Sequence, residues 1–305
     1  MKHSDTKFEI HPLLEDLRTN PNANNGMGDY FKTKSGDKLY YRSWRSSEQK
    51  GIIIGIHGMA AHSAYYILVA DYLINENLSV IGLDLKHHGK SSGRKGDLKK
   101  FEDCVDQLHE FILSIKNNNP NTPIFLMGQS MGSIISINYS IKYPKIIQGL
   151  ILTSPGVKSN FNLSLGDVLK LPLLLLVYLF HKGARVINVG DRSERGTRVP
   201  LRKQYQEEDT LRIQKISPRY LIGLLKWKKK SFKNAKNLSH PVHILLGTED
   251  KILSVEGVKE FFNLIPVKEK KLTVIEGGYH SLFSDPAMIQ QGGWKKLKAW
   301  LFNLI

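Results

Sequence analysis

Six short apolar segments recur along this chain and alternate with stretches of helical periodicity. They cover residues 51–56, 79–85, 124–127, 149–152, 242–246 and 271–275. Apolar runs of this length are typical of buried strands, and their alternation with helices indicates a mostly parallel sheet that is covered on both faces. The sequence therefore predicts an α/β fold.

The connecting segments support the same fold. Residues 101–116 carry an apolar stripe at 3.6-residue spacing, which predicts a helix. A second stripe predicts an amphipathic helix at the C-terminus and consists of Trp294, Leu297, Leu301 and Leu304. Near the N-terminus, residues 30–33 and 38–42 flank Ser35-Gly36-Asp37, which is typical of a β-hairpin.

The alternation stops between about residues 155 and 238, where the sequence becomes helical, leucine-rich and basic. We interpret residues 156–237 as a helical cap inserted into a core of residues 29–155 and 238–305. The cap is expected to lie over the carboxyl ends of the strands, where open α/β sheets bind ligands. Residues 1–28 are polar and are interpreted as an N-terminal extension.

No segment has the length of a membrane span, and the N-terminus lacks the apolar core of a secretory signal. We therefore expect a soluble cytoplasmic protein. The single cysteine, Cys104, excludes an internal disulfide and falls on the apolar stripe of the 101–116 helix. It is expected to be a buried core residue.

The segment Gly128-Gln129-Ser130-Met131-Gly132 joins the apolar run 124–127 to a helical stretch. A serine on so tight a strand-to-helix turn holds its hydroxyl clear of the backbone, and the glycines allow close approach of neighbouring chain. Gly89-Lys90-Ser91-Ser92-Gly93 fits the same pattern, but no strand precedes it directly and no helix follows. Ser130, not Ser91, is thus the candidate nucleophile.

A serine nucleophile needs a base and a group that orients the base. Asp250 follows the apolar run 242–246, and His280 follows the run 271–275 in a glycine-rich loop. The three candidates therefore all lie at the carboxyl ends of predicted strands, which predicts a catalytic triad. Two alternatives remain open: His280 could be a surface residue, and Asp250 could cap the segment after it.

An acyl-transfer intermediate also needs backbone N–H donors for its negative oxygen. Met131, directly after the nucleophile, supplies one candidate. Met59, in the loop after the 51–56 strand, supplies the other. His57 in the same loop is expected to shape the loop, because His280 fits the role of base by position.

These motifs resemble the monoacylglycerol lipase and lysophospholipase family of serine hydrolases. The resemblance is carried by His57-Gly58-Met59-Ala60-Ala61-His62-Ser63 with Tyr65 or Tyr66, by 84–91, by 128–132, and by 208–211 with 216–219. It implies an α/β-hydrolase fold, hydrolysis of one acyl ester on a glycerol-type head, and no metal or organic cofactor. The family often has glycine where this chain has Ser133, and the cap here is more basic and leucine-rich.

The cap carries the longest apolar run, residues 171–180. This run must be buried, face a ligand or touch lipid, because it is apolar nearly all round. Its position beside the candidate site favours an acyl-chain pocket, with Leu173, Leu176 and Leu179 as candidate substrate contacts.

Charge suggests an anionic partner. Residues 156–240 contain 18 Lys and Arg against six acids, and the whole chain carries +16. Lys226-Trp227-Lys228-Lys229-Lys230 combines cations with an aromatic residue, as a segment on an anionic membrane surface does, and RNA binding would look similar. Peripheral contact with an anionic membrane surface is favoured over nucleic acid, because the same chain carries a lipid-type triad and no nucleic-acid module appears. A merely solvated basic face is the alternative. His87-His88 lacks the spaced partners of a metal site.

The sequence favours a lipid ester hydrolase and leaves other functions open. A general carboxylesterase or an acyltransferase would use the same three residues, and a binding protein could keep the fold without turnover. The head group, the chain length and the oligomeric state do not follow from the sequence.

Overall fold

The computed structural model describes residues 26–160, 165–190 and 193–305. The predicted extension, residues 1–28, lies outside this part of the chain except for its last three residues. The cap boundaries at 156 and 237 stay a prediction.

Six of the ten strands in the described residues agree closely with the apolar runs in the sequence. The strands are β1 (Met27–Lys32), β2 (Lys38–Trp44), β3 (Gly51–Ile56), β4 (Leu78–Leu83), β5 (Ile124–Gln129), β6 (Gly149–Thr153), β7 (Ile187–Asn188), β8 (Lys215–Ile216), β9 (Val242–Gly247) and β10 (Lys270–Ile275). Of these, β7 and β8 lie in the predicted cap, where no strand was expected. The helices are α1 (Ile67–Leu73), α2 (Phe101–Asn118), α3 (Met131–Lys142), α4 (Leu165–Phe180), α5 (Ser193–Gly196), α6 (Pro200–Glu208), α7 (Pro218–Lys233), α8 (Val255–Leu264), α9 (Pro286–Gln290) and α10 (Gly293–Phe302).

Eight strands form one sheet in the order β1-β2-β4-β3-β5-β6-β9-β10. The six strands from β4 to β10 in this order pair in parallel, whereas β1 and β2 form an antiparallel hairpin at one edge. The predictions of a mostly parallel sheet and of an N-terminal hairpin are thus confirmed. β7 and β8 form a separate two-stranded sheet within the predicted cap.

Alternation of side chains along the central strands produces two cores, one on each face of the sheet. In β5, Ile124 and Leu126 pack on the face that α2, α3 and α8 cover. Phe125 and Met127 of the same strand pack on the other face, against α1 and α10. Because both faces are buried, the central strands are mostly apolar along their length and do not alternate in polarity.

The buried helices match their sequence stripes. Cys104 is 1% exposed within α2, as predicted, and burial raises the pKa of its thiol to about 12. In α10, Trp294, Leu297 and Leu301 are buried, while Leu304 lies just beyond the last helical residue. The sheet thereby brings the ends of β3, β5, β9 and β10 to one edge, where the candidate site residues follow.

Candidate active site

Ser130 stands on a tight turn between β5 and α3. Its backbone has φ of 54° and ψ of −113°, a conformation that non-glycine residues rarely adopt. The Ser130 N–H donates to Thr153 O at 3.0 Å, and Gly156 N–H donates to Ser130 O at 3.1 Å. Such strain persists only where the surroundings hold it in place, and it is typical of functional sites.

The two glycines of the motif are required by close approach of backbone. A Cβ at Gly132 would lie 2.0 Å from Ile56 O, and a Cβ at Gly128 would lie 2.6 Å from the backbone of Gly132 and Ser133. The turn is therefore wedged between β3 and the start of α3. Ser133 fits without strain, since its hydroxyl donates to Gly128 O at 2.7 Å.

His280 and Asp250 form the contact that the triad hypothesis requires. His280 Nδ1 lies 2.8 Å from Asp250 Oδ2, and both residues are buried. The other carboxylate oxygen of Asp250 accepts the N–H groups of Ile252 and Leu253, each at 2.9 Å. Burial alone would raise the pKa of Asp250, but the His280 ring and these N–H donors outweigh it and lower that pKa.

The neighbouring acid does not share this contact. Glu249 is exposed and pairs with Lys251 at 2.6 Å. Asp250, and not Glu249, is therefore placed to orient His280.

A serine that the sequence did not single out, Ser154, holds the loop of His280 beside the candidate nucleophile. The Ser154 hydroxyl donates to His280 O at 2.9 Å. Its neighbour Thr153 accepts the N–H of Ser130, so two consecutive residues at the end of β6 anchor the segments of Ser130 and His280. Ser154 also has positive φ, 42°. The sequence signal that could have identified Ser154 is its position as a polar residue directly after the apolar strand β6.

The candidate oxyanion donors come from two elements. Met131 is the first residue of α3, so its N–H has no carbonyl of that helix to bond. Met59 lies in the loop after β3 and is half-buried. Among the described residues no hydrogen bond to the N–H of Met59 or Met131 is present, and both remain available to an oxyanion.

His57 fixes the loop that carries Met59. Its Nδ1 lies 2.8 Å from Gly58 O, and its Nε2 accepts the Leu85 N–H at 3.1 Å. Burial lowers the pKa of His57 to about 3, which keeps the ring neutral. One ring nitrogen thus bonds within the loop and the other ties the loop to the segment after β4, in agreement with the predicted shaping role.

The His87-His88 pair also has a structural position. His88 Nε2 lies 3.1 Å from Met59 O and 2.9 Å from Tyr220 Oη, and burial lowers the pKa of His88 well below its usual value. This ring links α7 to the loop after β3 that carries Met59, the candidate oxyanion loop. In the described ranges, no group of His, Cys, Asp and Glu is arranged to hold a metal ion.

A second link, which the sequence did not predict, joins the predicted cap to the segment after β3. Asp209 Oδ2 accepts the Tyr65 hydroxyl at 2.9 Å and lies 2.8 Å from His62 Nε2. Arg202 stacks over the Tyr65 ring at 4.0 Å. The segments of Asp209 and His62 were each recognised as family motifs in the sequence. Their contact could not be predicted, because 146 residues separate them.

The second serine motif has no catalytic geometry. The Ser91 hydroxyl donates to Asp84 O at 2.6 Å and accepts the Tyr40 N–H at 2.8 Å. It therefore serves as a loop anchor, which agrees with its rejection as nucleophile.

The candidate substrate leucines of α4 lie on the outside of the protein. Leu173, Leu176 and Leu179 are 63%, 53% and 56% exposed. Of the three alternatives for this run, burial is excluded for these side chains. Their role as acyl-chain contacts stays a prediction.

The sequence model of the family described as "Serine aminopeptidase, S33" (Hydrolase_4) matches residues 47–287. The chain belongs to this family. It is a serine hydrolase, and the recognition from its motifs is confirmed.

Curated relatives of this hydrolase cover most of the chain. Human monoglyceride lipase is 26% identical over 87% of each chain. Monoacylglycerol lipase of Mycolicibacterium smegmatis is 24% identical over 84% of this chain and 90% of its own.

Solved structures show the same α/β-hydrolase fold. Monoacylglycerol lipase of Paleococcus ferrophilus superposes with a TM-score of 0.75 at 25% identity, covering 88% of this chain and 99% of its own. A soluble variant of monoglyceride lipase from Saccharomyces cerevisiae, in complex with a substrate analog, gives 0.76 at 22% identity, covering 92% and 96%. The predicted fold class is thus confirmed.

Replacing Asp250 by Asn should lower kcat by about 10³- to 10⁴-fold, because the amide no longer stabilises the imidazolium or its working tautomer. Initial rates on a short aryl ester measure this loss. The matched control is Glu249→Gln, which should keep the wild-type rate. Equal rates for Asp250→Asn and wild type would show that another group orients His280.

Replacing Asp209 by Asn should lower the free energy of unfolding by about 1–3 kcal/mol, since His62 and Tyr65 lose a buried charged acceptor. Urea denaturation measures the change. Glu207→Gln removes an exposed charge from the same segment and should have little effect. Equal stabilities of the two variants would contradict a structural role for the Asp209 contacts.

Proposed function

We propose that this serine hydrolase cleaves the carboxylic ester of a monoacylglycerol through an acyl-enzyme on Ser130. The single observation that carries the proposal is the 2.8 Å contact between His280 Nδ1 and Asp250 Oδ2 at the same sheet edge as the strained Ser130 turn. The substrate class is supported by the names of the relatives, which include monoglyceride lipases that align along most of this chain.

In the first step, His280 Nε2 takes the proton from the Ser130 hydroxyl as Oγ attacks the ester carbon. Asp250 keeps the Nδ1 proton in place and stabilises the imidazolium. The carbonyl oxygen becomes negative and accepts hydrogen bonds from the N–H groups of Met59 and Met131. When the tetrahedral intermediate collapses, the C–O bond to glycerol breaks, and His280 returns the proton to the departing alcohol.

In the second step, water takes the place of the alcohol. His280 accepts a proton from water as the water oxygen attacks the acyl carbon, and the fatty acid leaves as Ser130 regains its proton. All proton transfers therefore use side chains of this chain, and the proposal needs no metal or organic cofactor.

The predicted cap, residues 156–237, is proposed to cover this site. Its links to the oxyanion loop support that position, because Asp209 contacts His62 and Tyr220 contacts His88. Gly196 O also accepts the N–H of Ser281, next to the catalytic histidine, at 2.8 Å.

We further propose that α4 contacts a lipid surface. Its outer face exposes Leu173, Leu176 and Phe180, which recur at helical spacing, and Phe180 is 75% exposed. Lys182 and Arg185 are exposed directly after the helix. An apolar face flanked by cations is typical of a helix that rests on an anionic bilayer.

The segment 226–230 presents fewer groups to a membrane surface than its sequence predicts. Trp227 is 7% exposed, and its ring lies 5.8 Å from that of Phe101 inside the protein. Within this segment Lys226, Lys229 and Lys230 are exposed, while Lys228 is half-buried. The structure contains no described helix that is long and apolar enough to cross a membrane.

The proposed function is tested by initial rates of wild type and Ser130→Ala on monoacylglycerols, lysophospholipids and short aryl esters. Wild type should cleave long-chain monoacylglycerols, and Ser130→Ala should lose roughly 10⁶-fold in kcat without unfolding. Ser91→Ala is the matched serine control and should keep its activity if it folds. Retained turnover in Ser130→Ala would overturn the proposal.

The remaining outcomes separate the alternatives. Cleavage of short esters alone would indicate a general carboxylesterase, and faster acyl transfer to an added alcohol than to water would indicate an acyltransferase. No serine-dependent turnover on any ester would indicate a binding protein.

The lipid contact is tested by sedimentation with phosphatidylglycerol vesicles. The double variant Leu176→Gln/Phe180→Gln should bind at least about tenfold more weakly, because two exposed apolar side chains no longer enter the bilayer. Leu113→Gln, on the exposed side of α2, should bind as wild type does. Equal binding of both variants would contradict a membrane role for α4.

A further inference from the structure

A second groove lies between α7, α8 and the segment that follows β6. Its volume is about 600 Å³, within the range of small-molecule sites. Its apolar lining consists of Val157, Leu225, Phe232 and Leu264. The candidate catalytic and oxyanion residues do not line it, so it is separate from the site at Ser130.

Four lysines complete the lining of this groove: Lys158, Lys228, Lys229 and Lys233. Lys158 pairs with Glu260 at 2.7 Å. In the described part of the chain, no carboxylate lies within ion-pair distance of the other three. The groove therefore carries an excess of positive charge, which is complementary to an anion.

Lys228 has the least solvated of these charges. It is half-buried in the middle of α7, its ammonium contacts the Ser159 hydroxyl, and burial lowers its pKa. Lys233, by contrast, lies in the last turn of α7, where the helix dipole already favours a cation. A buried ammonium whose partner is a neutral hydroxyl gains most from an anionic ligand.

The apolar part of the groove is open to solvent and its wall is held in place. Leu225 and Leu264 are 52% and 46% exposed and face the same cavity. Val157 and Lys158 form one wall of the groove. This wall is held to the segment that follows Asp250, because the Ser254 N–H donates to Lys158 O at 3.0 Å. An alkyl chain in the groove would cover exposed leucine without rearrangement of this wall.

We propose that this groove binds the anion of a long-chain fatty acid, with its carboxylate at Lys228 and its alkyl chain along Leu225, Phe232 and Leu264. The same molecule would be the product of the proposed ester hydrolysis. A role in product binding therefore rests on the proposed function, whereas the binding itself does not.

The test is titration of the full chain with oleate, below its critical micelle concentration, after Ser130 has been blocked with a long-chain alkyl phosphonate. The phosphonate fills the acyl site, so calorimetry should detect one further oleate. Lys228→Met, which keeps the apolar stem and removes the charge, should weaken this binding at least about tenfold. Lys226→Met removes an exposed charge from the same helix and should leave it unchanged.

Three results would overturn the proposal: no oleate binding to the blocked chain, equal weakening by both lysine variants, or equal binding of oleyl alcohol. If Lys228→Met does not fold, Leu225→Asp places a carboxylate at the exposed rim and should give the same loss.

A failure of the proposed ester hydrolysis can be distinguished from a failure of oleate binding in the groove. If the phosphonate does not label Ser130, the titration is repeated with Ser130→Ala, in which Lys228→Met should still remove one oleate site.

Discussion

The left-handed turn at Ser130 is the constraint on which the rest of the site depends. It exists because Gly128 and Gly132 allow α3 to start directly against β3 and because Thr153 and Gly156 hold both backbone groups of Ser130. No free loop would keep a serine at φ of 54°. The parallel sheet is thus the part of the fold that positions the candidate nucleophile, and its order of strands brings the ends of β9 and β10 to the same edge.

Polar contacts with the predicted cap hold the loop that carries Met59, which is the candidate oxyanion loop. His88, between Met59 and Tyr220, and Asp209, on His62 and Tyr65, both connect cap segments to the oxyanion loop. Removal of the cap would leave buried polar groups of this loop without partners, which is costly. The cap is therefore expected to stabilise the oxyanion loop as well as to cover the substrate.

The sheet and the triad candidates could be predicted because their signals are local. Each strand is a short apolar run, and each of Ser130, Asp250 and His280 follows such a run within a few residues. Contacts between distant segments left no pattern: Ser154 holds the His280 loop across 126 positions. Hydrophobicity alone also could not show that the α4 leucines face outward, because buried and lipid-facing helices have the same composition.

Activation of the strained Ser130 by the His280 and Asp250 pair can be tested by mass spectrometry after reaction with a fluorophosphonate. We expect one adduct, which peptide mapping places on Ser130, and labelling that slows at least about a thousandfold in His280→Ala. An adduct on Ser91 or another residue, or labelling of Ser130 at an unchanged rate without His280, would show that this pair does not activate Ser130.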